Sequence, residues 1–259
     1  METTKLSNPR ASGAAFILWL GQAGFLLQLP SGRRVLIDPY LTDSIFLRTC
    51  QTEGFSFKRL CPAPFSAEEL EPDEVFCSHE HGDHLDIGCI AALLRNPRTR
   101  LLTNPASAKK ALELGVRQEQ ICVLGQNSSI DLGEYRVDVL PAQHGALSPE
   151  AMGFLFHVDG YRIYYAGDTA FDRVLLQNLE GLCPELALLP INGAYGNMDA
   201  KEAAEYAAFC GAKRCVPCHF WMFAKHGGDP LAFSRELAAC APDCELIMLT
   251  PGETYRLTP

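Results

Sequence analysis

The sequence predicts an α/β fold in a single domain that spans residues 1–259. Apolar runs of strand length alternate with helical patterns along the whole chain, as in folds built from layered sheets and helices. No internal repeat or low-complexity linker divides the chain. Hydrophobic residues make up 47% of the 259 residues and charged residues 20%, a balance typical of a globular domain with a substantial core.

Strands are predicted where short apolar runs lie between turn residues. These runs occur from the amino terminus to the carboxyl terminus and alternate with helical segments. The predicted strands are 15–20, 24–29, 34–37, 74–77, 100–103, 135–140, 153–158, 162–165, 186–189, 213–216, 245–249 and 254–257.

Helices are predicted from their end signals as well as from periodicity. The best-marked helix covers 105–114, because Asn104 can cap it, Pro105 suits its first turn and Gly115 follows it. The other predicted helices run from Asp86 through Leu94, over 171–179, between the Asp199–Glu202 capping box and Gly211, and over 230–240 after Asp229.

Two aromatic-rich segments, 42–72 and 220–229, are predicted to be long loops near the functional site. The first contains four phenylalanines and three prolines, and the second has the sequence FWMFAKHGGD. Such loops either pack on their own domain or form a lid over a site. Both interpretations stay open at the level of the sequence.

Charge and hydropathy restrict the partners and the location that we expect. The formal net charge of −9 disfavours nucleic acid, because phosphate backbones require a basic surface. No run of about 18 uncharged apolar residues is present, so no membrane span is expected. The polar start, METTKLSNPR, lacks the features of a secretory signal. We therefore expect a cytoplasmic protein whose eleven cysteines are reduced thiols.

The strongest chemical signal is a six-residue run of potential metal ligands directly after the predicted strand 74–77. It consists of His79, Glu80, His81, Gly82, Asp83 and His84. A compact turn can direct His79 and His81 to one point and Asp83 and His84 to a neighbouring one. Imidazole and carboxylate together suit zinc, manganese or iron. The alternative is a polar surface turn without a ligand.

Three further ligand-type residues, His144, Asp168 and His219, follow other predicted strands. Strand ends converge along one edge of a layered α/β core, where loops build sites. The seven side chains can hold two divalent ions. The predicted sets are His79, His81 and His144 for the first ion, Asp83, His84 and His219 for the second, and Asp168 as a bridge. Counted with Asp83, Asp168 and a hydroxide, two such ions leave a net positive charge, which would favour an anionic or strongly polarised small-molecule substrate.

The ordered set formed by the His79–His84 run, His144, Asp168 and His219 resembles the metallo-β-lactamase superfamily. The resemblance spans nearly the whole chain from Trp19 onward. It implies a four-layer αββα sandwich with the metals at one edge between two sheets. It also implies that Asp38 supports the metal-binding loop as a partner of a ligand. The alternative for Asp38 is an ordinary turn aspartate before Pro39.

Downstream motifs resemble the L-ascorbate-6-phosphate lactonase branch of that superfamily. They are LPING at 189–193, GNM at 196–198 and CHFWMF at 218–223. The resemblance implies that a metal-bridging hydroxide opens a lactone or ester of a small sugar acid, with or without a phosphate group. Asp83 and Asp168 would be the catalytic carboxylates, with Asp83 relaying a proton.

Substrate contacts are assigned to Asn192, Asn197 and His226, which lie in loops after strands. A turn role for each asparagine and a surface position for His226 are the alternatives. Two other functions remain open, a phosphodiesterase of the same fold and a non-catalytic metal-binding module. The sequence also leaves homo-oligomerisation open.

Overall fold

The computed structural model describes residues 15–177 and 179–257, and its core consists of two seven-stranded sheets. The first sheet contains the strands β1 (Phe16–Gly21), β2 (Gly24–Gln28), β3 (Arg34–Ile37), β4 (Glu74–Cys77), β5 (Arg100–Thr103), β6 (Ile121–Val123) and β14 (Thr254–Arg256). The second contains β7 (Ser128–Asp131), β8 (Tyr135–Pro141), β9 (Met152–Val158), β10 (Tyr161–Tyr165), β11 (Leu186–Pro190), β12 (Arg214–Cys218) and β13 (Glu245–Leu246).

The two sheets share one pattern of strand direction. Their orders are β14-β1-β2-β3-β4-β5-β6 and β13-β12-β11-β10-β9-β8-β7. Pairing is antiparallel up to β3 in the first sheet and between β7 and β10 in the second, and it is parallel beyond those strands. Strands β1, β3 and β4 therefore end at one edge of their sheet, and β8, β10 and β12 end at one edge of theirs.

Seven helices flank the sheets within the described residues. They are α1 (Ser44–Glu53), α2 (Ala67–Leu70), α3 (Ile90–Leu93), α4 (Pro105–Glu113), α5 (Arg173–Gln177), α6 (Ala200–Cys210) and α7 (Pro230–Cys240). The Asn104 side chain caps α4, and Asp199 forms a capping box with Glu202 at α6. Asp229 caps α7. Each cap satisfies amide groups that a helix start leaves unpaired.

The alternation of side chains along β1 shows how the layers are held together. Ile17 and Trp19 belong to the core between the sheets, whereas Leu18 and Leu20 belong to a second core that includes residues of α2, α3 and α4. The first core continues to residues of α6 and α7. Successive strand residues point to opposite faces, so each sheet is covered on both sides. The predicted αββα sandwich is confirmed.

Segment 42–72 is not the long loop that the sequence predicts, because it contains α1 and α2. The prolines of the segment lie after each helix, at Pro62, Pro64 and Pro72, so they do not interrupt either one. Segment 220–229 contains no helix or strand except a single bridge between Arg59 and Phe223. The prediction of an irregular segment is correct there.

Two predicted helices are shorter in the structure. The segment from Asp86 becomes helical only at α3, because the Asp86 carboxylate accepts hydrogen bonds from Leu41, Thr42 and other loop residues. The helix predicted over 171–179 is reduced to α5, and residue 178 lies outside the described part. None of the helices described is both long and apolar enough to cross a membrane.

Candidate metal centre

The turn after β4 places several ligand-type side chains close together at the edge of the first sheet. Backbone amides of His84 and Leu85 donate to the His81 carbonyl at 3.0 and 2.8 Å, which closes the turn. Gly82 faces α1, and a Cβ atom there would lie 3.1 Å from Ile45 Cγ1. A glycine at this position therefore allows α1 to pack closely against the turn.

The second sheet brings its ligands to the same place. His144 lies three residues beyond β8, Asp168 three residues beyond β10, and His219 directly after β12. Oδ1 of Asp168 lies 3.2 Å from His84 Nε2 and 3.2 Å from His219 Nε2. Oδ2 lies 4.0 Å from His79 Nε2 and 3.7 Å from His144 Nε2. The Asp168 carboxylate thus faces two separate pairs of imidazoles.

All seven predicted ligands form two groups around this carboxylate. One group is His79, His81, His144 and Asp168, and the other is Asp83, His84 and His219. Within each group the potential ligand atoms lie within 4.8 Å of one another. Ligand atoms about 2.1 Å from a tetrahedral ion are spaced about 3.4 Å apart. The observed separations therefore fit the occupation of each group by one ion.

Unpaired polar atoms inside the cluster support the same conclusion. His79 Nε2, His84 Nε2 and Asp168 Oδ1 are buried and have no hydrogen-bond partner of acceptable geometry among the described residues. Buried polar atoms are normally satisfied. Asp168 Oδ1 and His84 Nε2 lie 3.2 Å from each other, and His79 Nε2 lies 4.0 Å from Asp168 Oδ2. The residues present therefore fit divalent cations.

The carboxylates create a field that favours positive charge. Burial by itself would lower the pKa of His84, but Asp168, Asp38 and Asp83 raise it well above 6.5. Burial alone would raise the pKa of Asp168, but His219 and His84 hold it well below 3.8. Burial lowers the pKa of His79 well below its usual value, so this imidazole is neutral and its nitrogen is able to bind a metal.

Asp38 organises the turn that carries the histidines. Its Oδ1 accepts a hydrogen bond from the Ser78 amide at 2.7 Å, and its Oδ2 accepts one from the Tyr165 hydroxyl at 2.6 Å. The same Oδ2 lies 2.6 Å from His84 Nδ1. A proton on Nδ1 leaves Nε2 of His84 free for a metal. Asp38 itself is fully buried and saturated with hydrogen bonds.

Gln22 is a buried residue of the site that sequence reasoning missed. Its Nε2 donates to Asp83 Oδ2 at 2.8 Å and lies 3.2 Å from both His219 Nε2 and His226 Nδ1. The Gln22 carbonyl accepts the His219 amide at 2.9 Å. The available signal was its position directly after β1, a strand that ends at the same edge as β3 and β4.

Three of the strand-end residues at the site have left-handed backbones. The φ angles are 52° at Gln22, 43° at Asp38 and 58° at His219. These residues follow β1, β3 and β12 directly. Such a conformation is uncommon for residues other than glycine. It turns the chain sharply at each strand end, where the three side chains contact the cluster or its supports.

His226 is buried, so its alternative assignment as a surface histidine is wrong. Its ring stacks on His219 with centroids 5.0 Å apart, and burial lowers its pKa to about 4. Gly228 has a φ of 101°, and a Cβ there would lie 2.3 Å from Phe220 Cβ. The glycine lets the segment fold back on itself, which brings His226 to the site.

A cavity of about 270 Å³ opens beside the cluster. Five of the predicted ligands line it together with His226, namely His81, Asp83, His144, Asp168 and His219. Asn192 and Asn197 are not among its lining residues, and Asn192 Nδ2 donates to the Ala194 carbonyl at 3.1 Å. The predicted substrate contacts of these asparagines therefore gain no support from the lining of the cavity, and both side chains are buried.

Comparison with known families agrees with this geometry. A family model described as "Beta-lactamase superfamily domain" matches residues 33–220. The chain belongs to the metallo-β-lactamase superfamily. Within it, the chain is 30% identical over 253 residues to a UPF0173 metal-dependent hydrolase of Archaeoglobus fulgidus, covering 92% of this chain and 97% of the relative. The chain is therefore a metal-dependent hydrolase of that family. The resemblance to the ascorbate-6-phosphate lactonase branch is not confirmed.

Solved structures show the same metallo-β-lactamase fold. Igni18, a metallo hydrolase from Ignicoccus hospitalis, is 21% identical with a TM-score of 0.72, and the match covers 95% of this chain and 99% of that one. An isothiocyanate hydrolase from Delia radicum gut bacteria is 22% identical with a TM-score of 0.71, covering 93% of this chain and 98% of that one. At these identities the likeness extends to the fold alone.

Proposed function

We propose that this metal-dependent hydrolase uses two divalent ions to hydrolyse a small ester or lactone at its carbonyl carbon. The observation that carries the proposal is the Asp168 carboxylate, whose two oxygens face different imidazole pairs while the residue also lines the cavity. His79, His81 and His144 would hold one ion, Asp83, His84 and His219 the other, and Asp168 both. Imidazole and carboxylate ligands suit zinc or manganese, with iron as an alternative.

Ester hydrolysis adds one water molecule across the acyl C–O bond. The water oxygen bonds to the carbonyl carbon, the C–O bond to the alkoxy group breaks, and a proton moves to the departing alkoxide. When bound, a pair of divalent cations lowers the pKa of water and polarises a carbonyl. Asp83 lines the cavity and is held by Gln22, so its carboxylate is placed to carry the proton to the alkoxide.

A phosphodiesterase receives less support from the lining of the cavity. No lysine or arginine is among the described residues that line it, whereas enzymes that transfer or cleave phosphate commonly supplement metal ions with such cations. The same absence removes the phosphate group from the proposed substrate. The net positive charge of two bound ions would then act mainly on the oxygen that gains charge during the reaction.

A second candidate is the hydrolysis of another neutral carbon electrophile, such as an isothiocyanate. The specific observation is the apolar wall of the cavity, which includes Phe57, Tyr195 and Phe223. An isothiocyanate hydrolase shares the fold over nearly its full length. In that reaction water adds to the carbon of the N=C=S group, and cleavage of the C–N bond then releases an amine and carbonyl sulfide.

Metal analysis combined with a substrate panel tests the proposal. Purified protein is stripped with a chelator and then titrated with zinc or manganese while ester, lactone, phosphodiester and isothiocyanate substrates are assayed. We expect two metal equivalents per chain and carbonyl-centred hydrolysis that depends on metal. Binding of fewer than two ions, or a phosphodiester as the preferred substrate, would contradict the proposal.

Histidine variants separate the two proposed ions. His79→Ala and His219→Ala should each reduce the metal content by about one equivalent and abolish turnover. His157→Ala is the matched control, because His157 lies on β9 and pairs with Asp138 at 2.7 Å outside the cluster. It should retain both metal equivalents and full turnover.

A further inference from the structure

The cavity beside the cluster has an apolar wall as well as a polar one. The apolar lining residues are Ile45, Phe57, Leu147, Tyr195 and Phe223. The volume of about 270 Å³ lies just below the usual range for small-molecule pockets, which begins near ~300 Å³. The site therefore suits a compact substrate.

Phe57 lies beside three other rings that line the cavity. Its ring centroid lies 5.7 Å from that of Phe223, 6.2 Å from that of Tyr195 and 6.2 Å from that of His226. Phe223 is 1% exposed, whereas Tyr195 is 46% exposed. The wall therefore extends from a buried floor to an open rim, and Phe57 joins the two. An apolar substituent placed along it would be removed from water on one side.

Three cations of the neighbouring segments have partners away from the cavity, and a fourth, Arg48, approaches Gly82 without lining the cavity. Lys58 pairs with Asp43, and Lys225, which lies 5.7 Å from the Phe57 ring, pairs with Glu53 at 2.6 Å. The Arg59 guanidinium donates to the carbonyls of Tyr40 and Cys61. An anionic substituent against the apolar wall would lose its hydration without a cationic side chain to replace it, which is unfavourable.

We infer that the site selects neutral substrates with a compact apolar substituent, and that Phe57 is a specificity-determining residue that binds this substituent. The inference rests on the proposed hydrolysis of esters or lactones and names its substrate class. It differs from the anionic sugar-acid substrate that the sequence resemblance implies. The polar wall would then face the reacting carbonyl, while the apolar wall holds the substituent.

A pair of lactones matched in size tests this preference. γ-Heptalactone carries a propyl substituent, whereas 5-oxotetrahydrofuran-2-carboxylate carries a carboxylate with the same number of heavy atoms on the same ring. With the metal-loaded full chain, we expect kcat/KM for γ-heptalactone to exceed that for the carboxylate by at least about tenfold. Equal values, or a preference for the carboxylate, would overturn the inference.

Two phenylalanine variants test whether the preference for the propyl-substituted lactone depends on the apolar wall. Phe57→Ala should lower kcat/KM for γ-heptalactone by about tenfold and lower the value for unsubstituted γ-butyrolactone by a much smaller factor. Phe55→Ala is the matched control, because Phe55 is 77% exposed, stacks on Phe46 and does not line the cavity. An equal loss with both lactones in the Phe57 variant would contradict a role in specificity.

Binding decides the inference even if no lactone is turned over. Saturation-transfer NMR of the zinc-loaded protein is recorded with 3-propylcyclopentanone and with 3-oxocyclopentane-1-carboxylate, neither of which is hydrolysed. We expect the propyl ketone to bind in a Phe57-dependent manner and to bind more tightly than the carboxylate. Absence of ester and lactone turnover would refute the proposed function, whereas binding without preference would refute the selectivity inferred here.

Discussion

Two aspartates occupy equivalent places in the two sheets and have opposite surroundings. Asp38 follows β3 and Asp168 follows β10, the strands at which antiparallel pairing changes to parallel pairing in each sheet. Asp38 receives hydrogen bonds from Ser78 and Tyr165 and lies against His84 Nδ1. Asp168 instead faces Nε2 atoms of the imidazoles, and its Oδ1 has no hydrogen-bond partner among the described residues.

The difference shows that strand position alone does not determine what a carboxylate does. A buried carboxylate surrounded by donors is satisfied by the fold and stabilises it. A buried carboxylate that faces lone pairs of imidazoles is satisfied only by a proton or a metal. The donors Ser78 and Tyr165 thus distinguish a structural aspartate from one available for a metal ion.

The largest expected effect on activity comes from replacing Asp168, the aspartate whose Oδ1 atom has no hydrogen-bond partner among the described residues. Asp168→Asn should reduce kcat about 10³-fold, because bridging metal ions contribute several kcal/mol to catalysis. It should also lower metal content, measured by mass spectrometry, and leave the circular dichroism of the fold unchanged. Asp172→Asn, in the loop that follows, serves as the control because Asp172 bonds only to exposed groups and the start of α5. If the Asp168 variant retained both metal ions, the proposed difference between Asp168 and Asp38 would be wrong.

Replacing Asp38, whose two carboxylate oxygens both accept hydrogen bonds, should affect both stability and activity. Asp38→Asn should lower metal affinity or activity about 10–100-fold and the free energy of unfolding by about 1–3 kcal/mol. The reason is that an amide group would face the donors now bound by Oδ1 and Oδ2. Chemical denaturation and metal titration measure the two effects. Asp159→Asn, at an exposed turn, is the control and should change neither quantity. If the Asp38 variant lost activity but kept full stability, Asp38 would act like Asp168, and the proposed difference between the two aspartates would be wrong.

Gln22 connects the edges of the two sheets, and its replacement should have a smaller effect. Gln22→Leu removes the amide that holds Asp83 and contacts His219, so kcat/KM should fall about tenfold, the value of a hydrogen bond to a charged group. The affinity for the ion held by Asp83 and His219 should fall more than that for the other ion. Isothermal titration with zinc measures both affinities. Gln118→Leu, which removes an exposed glutamine, is the control, and equal weakening of both ions would contradict this placement.

The smallest expected effect on activity comes from a third buried carboxylate, at the opposite end of β4. Glu74 is hydrogen-bonded by Arg33 and Arg100, and these bonds outweigh burial and hold its pKa below 4.5. Its contribution to stability is therefore present above pH 4.5 and is lost as the pH falls through the lowered pKa. Glu74→Gln should cost about 2 kcal/mol at pH 7, progressively less in acid, and nothing in turnover per folded molecule.

Denaturation curves at pH 7 and pH 4 measure that difference. Glu134→Gln is the matched control, because Glu134 also approaches Arg33 but is 45% exposed. An exposed ion pair contributes about 0–1 kcal/mol. A pH-independent loss of stability in the Glu74 variant would show that packing, and not the carboxylate charge, is responsible.

The clustering of the seven candidate ligands could be predicted because their residue types and their positions after strands carry the same signal. Gln22 also lies directly after a strand, but its residue type gave no signal, because glutamine is not a usual metal ligand. Helix α1 was missed for a different reason. Asp43 precedes it as a cap residue, yet the Asp43 side chain makes no cap bond and contacts Lys58 and the Arg59 amide instead.

The sequence pattern also could not predict an edge strand or the residues that line the cavity. Strand β7 has mostly exposed side chains, so it lacks the apolar alternation on which strand prediction depends. Phe57 and Tyr195 line the cavity together although 138 positions separate them. Such a contact depends on how segments pack in three dimensions, which local propensity does not encode.

The left-handed backbones at Gln22, Asp38 and His219 lower thermal stability, whereas their side chains belong to the site proposed for catalysis. A non-glycine residue in this conformation costs on the order of 1 kcal/mol, which a glycine would relieve. Because each of these side chains would hold or surround the proposed ions, glycine variants would lose hydrolytic activity. A selection scheme that rewards thermal survival alone would therefore drift toward glycine at these positions and yield a robust but inert protein.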